Sequence, residues 1–365
     1  MKPLYVTGTQ RHAGKTTFCV GLVHALRGRG MSIGYAKPLG QRVGVVAGEV
    51  IHDDALVVSQ AMAGEGGTAQ ASTMAVPLTR GRVEKEIYDL NTPQLAGKVS
   101  AIVDKLREAN DLVIIEGMGH VAAGSCLRMS AADVARIIDA PCLIVSGGGI
   151  GRAIDDISMC ATFITAHGAR LLGAVVNKVW PEKYARIKEA TTKGLEILGI
   201  HSFGTVPYEE VLATPTFGQV VEEFNGEVLC GHAALGNRVG KAVVAAMEAD
   251  HMVSYLKDRA MVITPGDRSD NILAILSLHM LSTDDRPVAG IVLTGGFRPS
   301  ANVINLMSHS GLPVMLCRED TYTLATRMGE LVFKIKPNDK DRLETAMCLV
   351  SEYVDVNGIL EGLKE

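Results

Sequence analysis

A glycine-containing turn between a strand and a helix stands near the start of this chain. Leu4-Tyr5-Val6 is a short apolar run typical of a buried strand, and apolar residues recur at helical spacing from Phe18 to Leu26. The turn between them contains Gly8 and Gly14. A strand, a tight glycine turn and a helix in this order predict the first unit of an α/β fold.

The residues of this turn are suited to holding a phosphate group. Gly8 and Gly14 allow a tight turn that points several backbone N–H groups at one anion, and the start of the helix adds the positive end of its dipole. Lys15 provides a mobile positive charge for the β- and γ-phosphates, and Thr16 provides a hydroxyl for Mg²⁺. The sequence therefore predicts a P-loop.

The spacing of the turn departs from the usual P-loop pattern. Gly8 and Gly14 are separated by one residue more than in G-x-x-x-x-G-K-[ST], so Thr9 stands where the first glycine would be. The alternative is an ordinary strand-turn-helix with a surface lysine. The run Thr7-Gly8-Thr9 before the loop, with Gly14 to Thr17 after it, favours the P-loop.

Length and composition limit the class of protein. A chain of 365 residues exceeds a comfortable single core, which predicts two domains. The net charge is −4 without a basic block, which argues against nucleic acid and anionic membranes as partners. No apolar run approaches the ~18 residues of a membrane span, and the chain opens directly into a strand, so we expect no membrane span, no signal peptide and a cytoplasmic location.

Strand-like and helical segments alternate along the first part of the chain, which predicts a doubly wound, mainly parallel sheet. The pattern lapses after Val206-Pro207-Tyr208, and a second series of segments begins, including a helix near 239–247 and a strand at 331–335. We expect a P-loop nucleotide-binding domain at 1–211 and a smaller α/β domain at 212–365.

Polar residues follow several predicted strands, at the sheet edge where ligands of such folds bind. The apolar run that begins after Asp111 ends in Glu116, whose carboxylate is predicted to reach Mg²⁺ held by Thr16 unless it faces solvent. Asp53 and Asp54 precede a helix, where one of them is either a magnesium ligand or an N-cap, and the residues alone do not decide which.

Two further strand ends offer groups to a nucleotide. Lys37 follows the strand 32–36 and is either a γ-phosphate ligand that stabilises transferred charge or a solvated surface lysine. Asn177 follows the strand 171–176, where an amide presents both a donor and an acceptor to a purine edge.

Together these motifs resemble the dethiobiotin synthetases, the cobyrinic acid a,c-diamide synthases and the N-terminal part of long bacterial phosphotransacetylases. The matching stretches are V-T-G-T-x-x-x-x-G-K-T at 6–16, K-P at 37–38, E-G-x-G at 116–119, V-N-K at 176–178 and V-P-Y at 206–208. The resemblance implies ATP with Mg²⁺, metal ligation by Thr16, Asp54 and Glu116, and phosphate contacts from Lys15 and Lys37. The predicted nucleotide-binding residues are Gly8, Thr9, His12, Ala13, Gly14, Lys15, Thr16, Thr17, Asn177 and Pro207.

The second domain resembles the DRTGG domain of those phosphotransacetylases. The resemblance rests on Thr264 to Asp270 and on Leu293 to Gly296, two predicted strand-to-helix turns. Adjacent turns of this kind form either a small polar ligand pocket or only a helix cap by Asp267 and a buried Asp–Arg pair. The candidate ligand residues are Asp267, Arg268, Thr294, Gly295 and Gly296.

The resemblance gives two candidate functions. The first is a magnesium-dependent ATP-binding protein, hydrolysing slowly at most, with a second domain that senses an unidentified small ligand; the chain ends where a phosphotransacetylase catalytic domain would begin, so acetyl transfer is not expected. The second is an ATP-dependent synthetase that activates a small carboxylate or carbamate. Departures at Leu39-Gly40-Gln41 and at Glu116-Gly-Met-Gly-His120 affect the diamine side of a dethiobiotin synthetase pocket. The resemblance also implies a homodimer or higher homo-oligomer.

Overall fold

The computed structural model describes residues 1–40, 43–46, 49–63, 76–89, 92–282, 287–331 and 333–365. The chain forms two compact units, one made of Met1–Leu212 with Ile335–Glu365 and the other of Ala213–Lys334. The predicted α/β class with a mainly parallel sheet is confirmed. None of the helices in the described part of the chain has the length and apolar character that crossing a membrane requires.

The strands are numbered in chain order: β1 (Leu4–Gly8), β2 (Ile33–Ala36), β3 (Leu39–Gly40), β4 (Val43–Val46), β5 (Glu49–His52), β6 (Val76–Pro77), β7 (Leu112–Glu116), β8 (Cys142–Ser146), β9 (Leu171–Val179), β10 (Ser202–Pro207), β11 (Glu227–Cys230), β12 (Lys241–Val244), β13 (Ala260–Pro265), β14 (Val288–Thr294) and β15 (Val314–Leu316).

The helices are α1 (Lys15–Arg27), α2 (Asp53–Ala63), α3 (Arg80–Asp89), α4 (Thr92–Ala109), α5 (Ala131–Ile137), α6 (Gly151–Ala166), α7 (Tyr184–Ile197), α8 (Glu210–Ala213), α9 (Phe217–Phe224), α10 (Ala249–Val253), α11 (Ser269–Leu281), α12 (Ala301–Ser310), α13 (Thr321–Glu330), α14 (Lys340–Tyr353) and α15 (Val356–Gly362).

The first unit is built on a parallel six-stranded sheet in the order β10-β9-β8-β1-β7-β2. Successive residues of β7 point to opposite faces, so Val113 and Ile115 join one apolar core while Leu112 and Ile114 join the other. In the register, Val6 is level with Glu116, and Ala36 is level with Ile115. The polar residues that end these strands therefore meet at one edge of the sheet.

The last segment of the chain, Ile335–Glu365, belongs to the first unit, whereas the sequence pattern predicts it in the second domain. Its helix α14 packs on α1, where Gly21 leaves room for the backbone of Ala346 and the side chain of Val350. The fully buried Arg342 donates from Nε to the carbonyl of Val211 at 2.9 Å. These contacts are remote in sequence, which is why the local pattern did not reveal them.

The second unit is built on a five-stranded sheet in the order β11-β15-β14-β13-β12, parallel except for β11. The helix expected near 239–247 is wrong, because Lys241–Val244 forms the edge strand β12. Val243 and Val244 are β-branched, and Gly240 lies so close to the carbonyl of Asp258 that no side chain fits there. The strand expected at 331–335 is not found in the described residues of that stretch.

Candidate functional site

The predicted P-loop connects β1 to α1 at the carboxyl edge of the first sheet. Gly14 adopts a left-handed conformation with φ of 99°, and a Cβ atom there would lie 2.1 Å from Asn177 Nδ2. Only glycine suits both the conformation and the close approach. The loop therefore turns directly into the first turn of α1, where Lys15, Thr16 and Thr17 stand.

Side chains at the end of β9 hold the loop from the opposite side. Asn177 donates from Nδ2 to the carbonyl of Ala13 at 3.0 Å, and Lys178 donates from Nζ to the carbonyl of His12 at 2.7 Å. The backbone N–H of Lys178 donates to Asn177 Oδ1 at 2.8 Å, which fixes the amide. Asn177 thus contacts the loop directly, in addition to the purine contact that the resemblance implies.

Lys15 is buried at the start of α1. Its Nζ donates to the carbonyl of Gly119 at 2.5 Å, so the ammonium lies beside the turn that follows β7. Burial lowers the pKa of Lys15 to about 8, although the nearby carboxylate of Glu116 opposes that shift. A lysine with this pKa is partly deprotonated in mildly alkaline solution, and a bound anion would restore its charge.

Lys37, Asp54 and Glu116 form a buried cluster of charges. Lys37 Nζ lies 2.6 Å from Glu116 Oε1 and also donates to Asp54 Oδ2, and the exposed fractions of the three side chains are 8%, 3% and 1%. Burial alone would lower the pKa of Lys37, but Glu116 and Asp54 raise it above the ordinary value for lysine. The ammonium therefore stays charged. Asp53, in contrast, is exposed, so Asp54 is the aspartate that faces the site.

Both oxygens of Glu116 accept hydrogen bonds from neighbouring elements. Thr16 Oγ1 donates to Oε1 at 2.9 Å, and the Tyr35 hydroxyl donates to Oε2 at 2.8 Å. Burial and the charge of Glu116 raise the pKa of Tyr35 well above its ordinary range, so the phenol stays protonated. The carboxylate is thereby held in one orientation.

The oxygens around Lys37 are of the kind that Mg²⁺ prefers. Mg²⁺ takes oxygen ligands, and this site brings the hydroxyl of Thr16 and the carboxylates of Asp54 and Glu116 close together. Across the described residues, no group of three or more His, Cys, Asp or Glu side chains is arranged to hold a metal. A magnesium ion here would bind Thr16 and the two carboxylates and would take phosphate oxygens and waters as its other ligands.

The other predicted nucleotide-binding residues also lie at this edge of the sheet. Thr9 Oγ1 is 3.4 Å from Ser146 Oγ at the end of β8, and His12 has a left-handed φ of 61° within the loop. Pro207 ends β10 beside Val179 of β9. Their contacts with a nucleotide stay a prediction.

In the second unit, the two predicted turns are adjacent, since the N–H of Gly266 donates to the carbonyl of Thr294 at 3.1 Å. Arg268 pairs with Asp270 through two contacts of 2.9 and 2.8 Å, while Asp267 is exposed. The Asp–Arg pair therefore forms at the surface and not in the interior, with side chains 35% and 53% exposed, and its acid is Asp270.

The backbone N–H groups of the glycine pair in the second unit are already used within the fold. The N–H groups of Gly295 and Gly296 donate to the carbonyls of Glu319 and Cys317 at 2.8 and 2.9 Å. These two amides are therefore not free donors for an anion, and a ligand role for Asp267, Arg268, Thr294, Gly295 and Gly296 stays a prediction.

A semi-open, largely apolar cavity of about 380 Å³ lies elsewhere in the second unit. None of the five candidate ligand residues lines it. Its wall consists of Pro215, Val239, Gly240, Ala242, Val244, Ile263, Ala325, Met328 and Gly329.

Two residues that contact the site, Tyr35 and Lys178, had no role predicted from the sequence. Tyr35 looked like an interior residue of a buried strand, because nothing in its local pattern shows that its hydroxyl reaches across to β7. Lys178 stands in the V-N-K stretch at 176–178, so its position beside Asn177 was a usable signal.

Comparison with protein families matches both units. Residues 2–216 match the family described as AAA domain, and residues 219–331 match the family described as DRTGG domain. The predicted DRTGG domain is confirmed.

The chain also resembles curated phosphate acetyltransferases. It is 27% identical to that of Nitratidesulfovibrio vulgaris over 96% of this chain and 50% of the relative. It is 26% identical to that of Nitrosomonas europaea over 97% of this chain and 50% of the relative. The chain thus spans about half the length of the curated relatives it matches, and the predicted relation to phosphotransacetylases is confirmed.

Two solved structures are similar in fold to parts of the chain. The septum site-determining protein MinD of Pyrococcus horikoshii, solved with Mg-ADP, is 14% identical and covers 58% of this chain and 84% of its own, with a TM-score of 0.36. The CBS and DRTGG domains of Clostridium perfringens pyrophosphatase, solved with diadenosine tetraphosphate, are 20% identical and cover 38% of this chain and 60% of their own, with a TM-score of 0.28.

Proposed function

The chain belongs to the family described as AAA domain, and on this premise we propose that its first unit binds ATP with Mg²⁺ and hydrolyses it slowly at most. The second unit, the DRTGG domain, would act as a regulatory module that senses a small ligand. The proposal places the protein in the cytoplasm, where ATP and Mg²⁺ are both available, as a homodimer or higher homo-oligomer.

The observation that supports ATP binding is the meeting of four charged groups at one end of the P-loop. Lys15 lies at the start of α1, while Lys37, Asp54 and Glu116 converge beside Thr16. Two cations and two carboxylates in one buried site match a ligand with both phosphate oxygens and a divalent metal. Burying a charged side chain costs free energy, so a surface turn that binds no ligand is not expected to bury these charges.

Each group has a role in the proposed complex. Backbone N–H groups from Gly8 to Thr17 and the Lys15 ammonium would hold the β- and γ-phosphates. Mg²⁺, bound by Thr16, Asp54 and Glu116, would neutralise phosphate charge. Lys37 would move from the carboxylates to the γ-phosphate, and the end of β9 with Asn177, together with Pro207 on β10, would face the base.

The buried Lys37 also favours a second candidate, an ATP-dependent synthetase. In such an enzyme a carboxylate or carbamate oxygen attacks the γ-phosphorus, ADP leaves, and an amine or amide nitrogen then displaces phosphate from the mixed anhydride. A lysine beside the metal ligands stabilises the negative charge of the transferred group. Phosphate release that depends strictly on one small acid would favour this candidate, while slow release that is indifferent to added acids favours the regulatory protein.

Calorimetric titration of the full chain with ATP and MgCl₂ tests the proposal. We expect the wild-type protein to bind ATP and the Lys15→Ala variant to lose at least about tenfold in affinity, which corresponds to about 1.4 kcal/mol. Lys98→Ala is the matched control, because Lys98 is exposed on α4. Equal binding by wild type and Lys15→Ala, or no binding by wild type, would overturn the proposal.

The regulatory role of the second unit has its own test. A thermal-shift screen of nucleotides and small acids against the full chain should reveal a ligand whose stabilising effect survives in Lys15→Ala and falls in Thr294→Val. Thr294 Oγ1, at the end of β14, lies 2.7 Å from Oγ1 of Thr321 at the start of α13, so the valine removes a hydroxyl without adding bulk. Stabilisation that disappears with Lys15→Ala would assign the ligand to the first unit instead.

A further inference from the structure

We propose that Lys37 is the built-in counter-cation of the Asp54–Glu116 pair, so that a divalent metal binds this site only together with a nucleotide. The inference rests on the proposed function, since it concerns the metal that would accompany ATP. It adds an order of binding that the proposed function does not contain.

The first support is the position of the Lys37 ammonium. It contacts one carboxylate oxygen of Asp54 and one of Glu116, at 2.6 Å in the second case, and all three side chains are more than nine-tenths buried. Those two oxygens belong to the carboxylates that would ligate a metal. A metal ion and the ammonium therefore compete for the same negative charge.

The second support is the rigidity of the surrounding hydrogen bonds. The Tyr35 hydroxyl holds Glu116 Oε2 at 2.8 Å, and Thr16 Oγ1 holds Oε1 at 2.9 Å. The backbone N–H of Asp54 donates to His52 Nδ1 at 3.1 Å, which fixes the first turn of α2. The carboxylates thus have little freedom to turn toward a metal while Lys37 stays between them.

Charge balance then determines the order of binding. Metal entering alone would leave the Lys37 ammonium buried without its carboxylate partners, and an unpaired buried charge is strongly unfavourable. Nucleotide phosphates would supply a new anion for Lys37 as they arrive, which frees Asp54 and Glu116 for the metal. Metal affinity should therefore be weak without nucleotide and should rise when the positive charge of Lys37 is removed.

Titration of the nucleotide-free full chain with Mn²⁺, with free Mn²⁺ counted by electron paramagnetic resonance, tests this order. We expect Lys37→Ala to bind Mn²⁺ at least tenfold more tightly than wild type. The Lys98→Ala variant is the control for loss of a lysine charge, because Lys98 is exposed on α4 and is not part of the site; its Mn²⁺ affinity should equal that of wild type. The double variant Lys37→Ala with Glu116→Gln should lose the gain.

Equal Mn²⁺ affinity for wild type and Lys37→Ala would overturn the inference, as would a gain of the same size in Lys98→Ala. If Lys37→Ala folds poorly without metal, thermal denaturation provides the second measurement. Mg²⁺ should then raise the melting temperature of Lys37→Ala and leave that of wild type unchanged, and a Mg²⁺ response of the same size in both proteins would contradict the inference.

These titrations contain no nucleotide, so their result is independent of whether the protein binds ATP. If the wild-type protein failed to bind ATP in calorimetry, the proposed function would be overturned, while the metal-alone difference between wild type and Lys37→Ala could still be measured. Conversely, tight metal-alone binding by wild type would overturn only the order of binding.

Discussion

The side-chain amide of Asn177, at the end of β9, donates to the carbonyl of Ala13 in the P-loop at 3.0 Å. Asn177 is buried, and its own carbonyl oxygen accepts from the N–H of Lys178. One residue therefore links the outer part of the sheet to the loop that we propose holds the phosphates. A nucleotide that contacts this amide would bind a residue that already shapes the loop.

We predict that Asn177→Ala lowers both stability and ATP affinity. Loss of the contact should cost about 1 kcal/mol of folding free energy or more, because the buried carbonyl of Ala13 also loses its partner. Urea denaturation and calorimetry measure the two effects. Asn110→Ala is the control, since Asn110 Nδ2 donates to the carbonyl of Leu106 at 2.8 Å on α4; it should lose stability and keep its ATP affinity. Unchanged ATP affinity in Asn177→Ala would refute the role in the loop.

The packing of α14 on α1 predicts an unusual response to Gly21→Ala. Gly-to-Ala in a helix interior normally stabilises by roughly 0.5–1 kcal/mol. At Gly21, however, the new Cβ would lie 2.4 Å from the Ala346 carbonyl oxygen and 2.4 Å from Val350 Cγ2. We expect a net loss of about 1–3 kcal/mol through overpacking, measured by urea denaturation.

Gly97 provides the matched helix position for that experiment. It lies within α4, and a Cβ added there meets nothing within 4 Å. Gly97→Ala should therefore stabilise the protein by roughly 0.5–1 kcal/mol. If both alanines stabilise to the same extent, the C-terminal segment does not pack on α1 as described.

Features that depend on local pattern were predictable from the sequence. Apolar runs identified the strands of the first sheet except β10. The rule that ligands bind at the carboxyl ends of parallel strands placed Lys37, Asp54 and Glu116 at the edge where the P-loop lies. The choice of Asp54 over Asp53 was weaker, because both stand in the first turn of α2 and only burial distinguishes them.

Features that depend on distant contacts were not predictable from the sequence. The hydroxyl of Tyr35 reaches Glu116 because β2 and β7 are neighbours in the sheet. The order of the strands along the chain does not predict that pairing. The return of Ile335–Glu365 to the first unit depends on a fit between Gly21 and α14. In the alanine- and valine-rich stretch near β12, the spacing of apolar residues does not distinguish a helix from an edge strand. Tertiary packing therefore decides its conformation.

The contact between Thr16 and Glu116 predicts how Mg²⁺ should affect ATP binding. Thr16→Val keeps the shape of the side chain and removes the hydroxyl that lies 2.9 Å from Glu116 Oε1. ATP affinity should be higher in Mg²⁺ than in EDTA, and this gain should be at least roughly tenfold smaller in Thr16→Val. Loss of a residue that only supports a metal ligand already costs roughly tenfold in metal affinity. Thr16→Ser retains the hydroxyl and should keep most of the gain. A full Mg²⁺ effect in Thr16→Val would show that Thr16 does not ligate the metal.

The lowered pKa of Lys15 predicts that ATP binding takes up a proton in mildly alkaline solution. Burial lowers the pKa of this group from 10.5 to about 8, so at pH 8.5 the unliganded protein holds Lys15 largely deprotonated. Phosphate oxygens beside the ammonium favour the charged form and raise the pKa in the complex. Proton uptake should therefore be small at pH 7 and larger at pH 8.5, and affinity should fall as pH rises through about 8.

Calorimetry in buffers of different ionisation enthalpy measures this uptake directly. Lys15→Arg is the control, because a guanidinium stays protonated throughout the range and should remove the uptake at pH 8.5 even where ATP binding is weakened. The same lowered pKa has an effect on folding, since the unfolded chain binds more protons than the folded chain between pH 8 and 10.5. The contribution of Lys15 to stability therefore rises with pH across that window, opposite to its effect on ATP affinity. Proton uptake of equal size in wild type and Lys15→Arg would assign the titrating group to another residue.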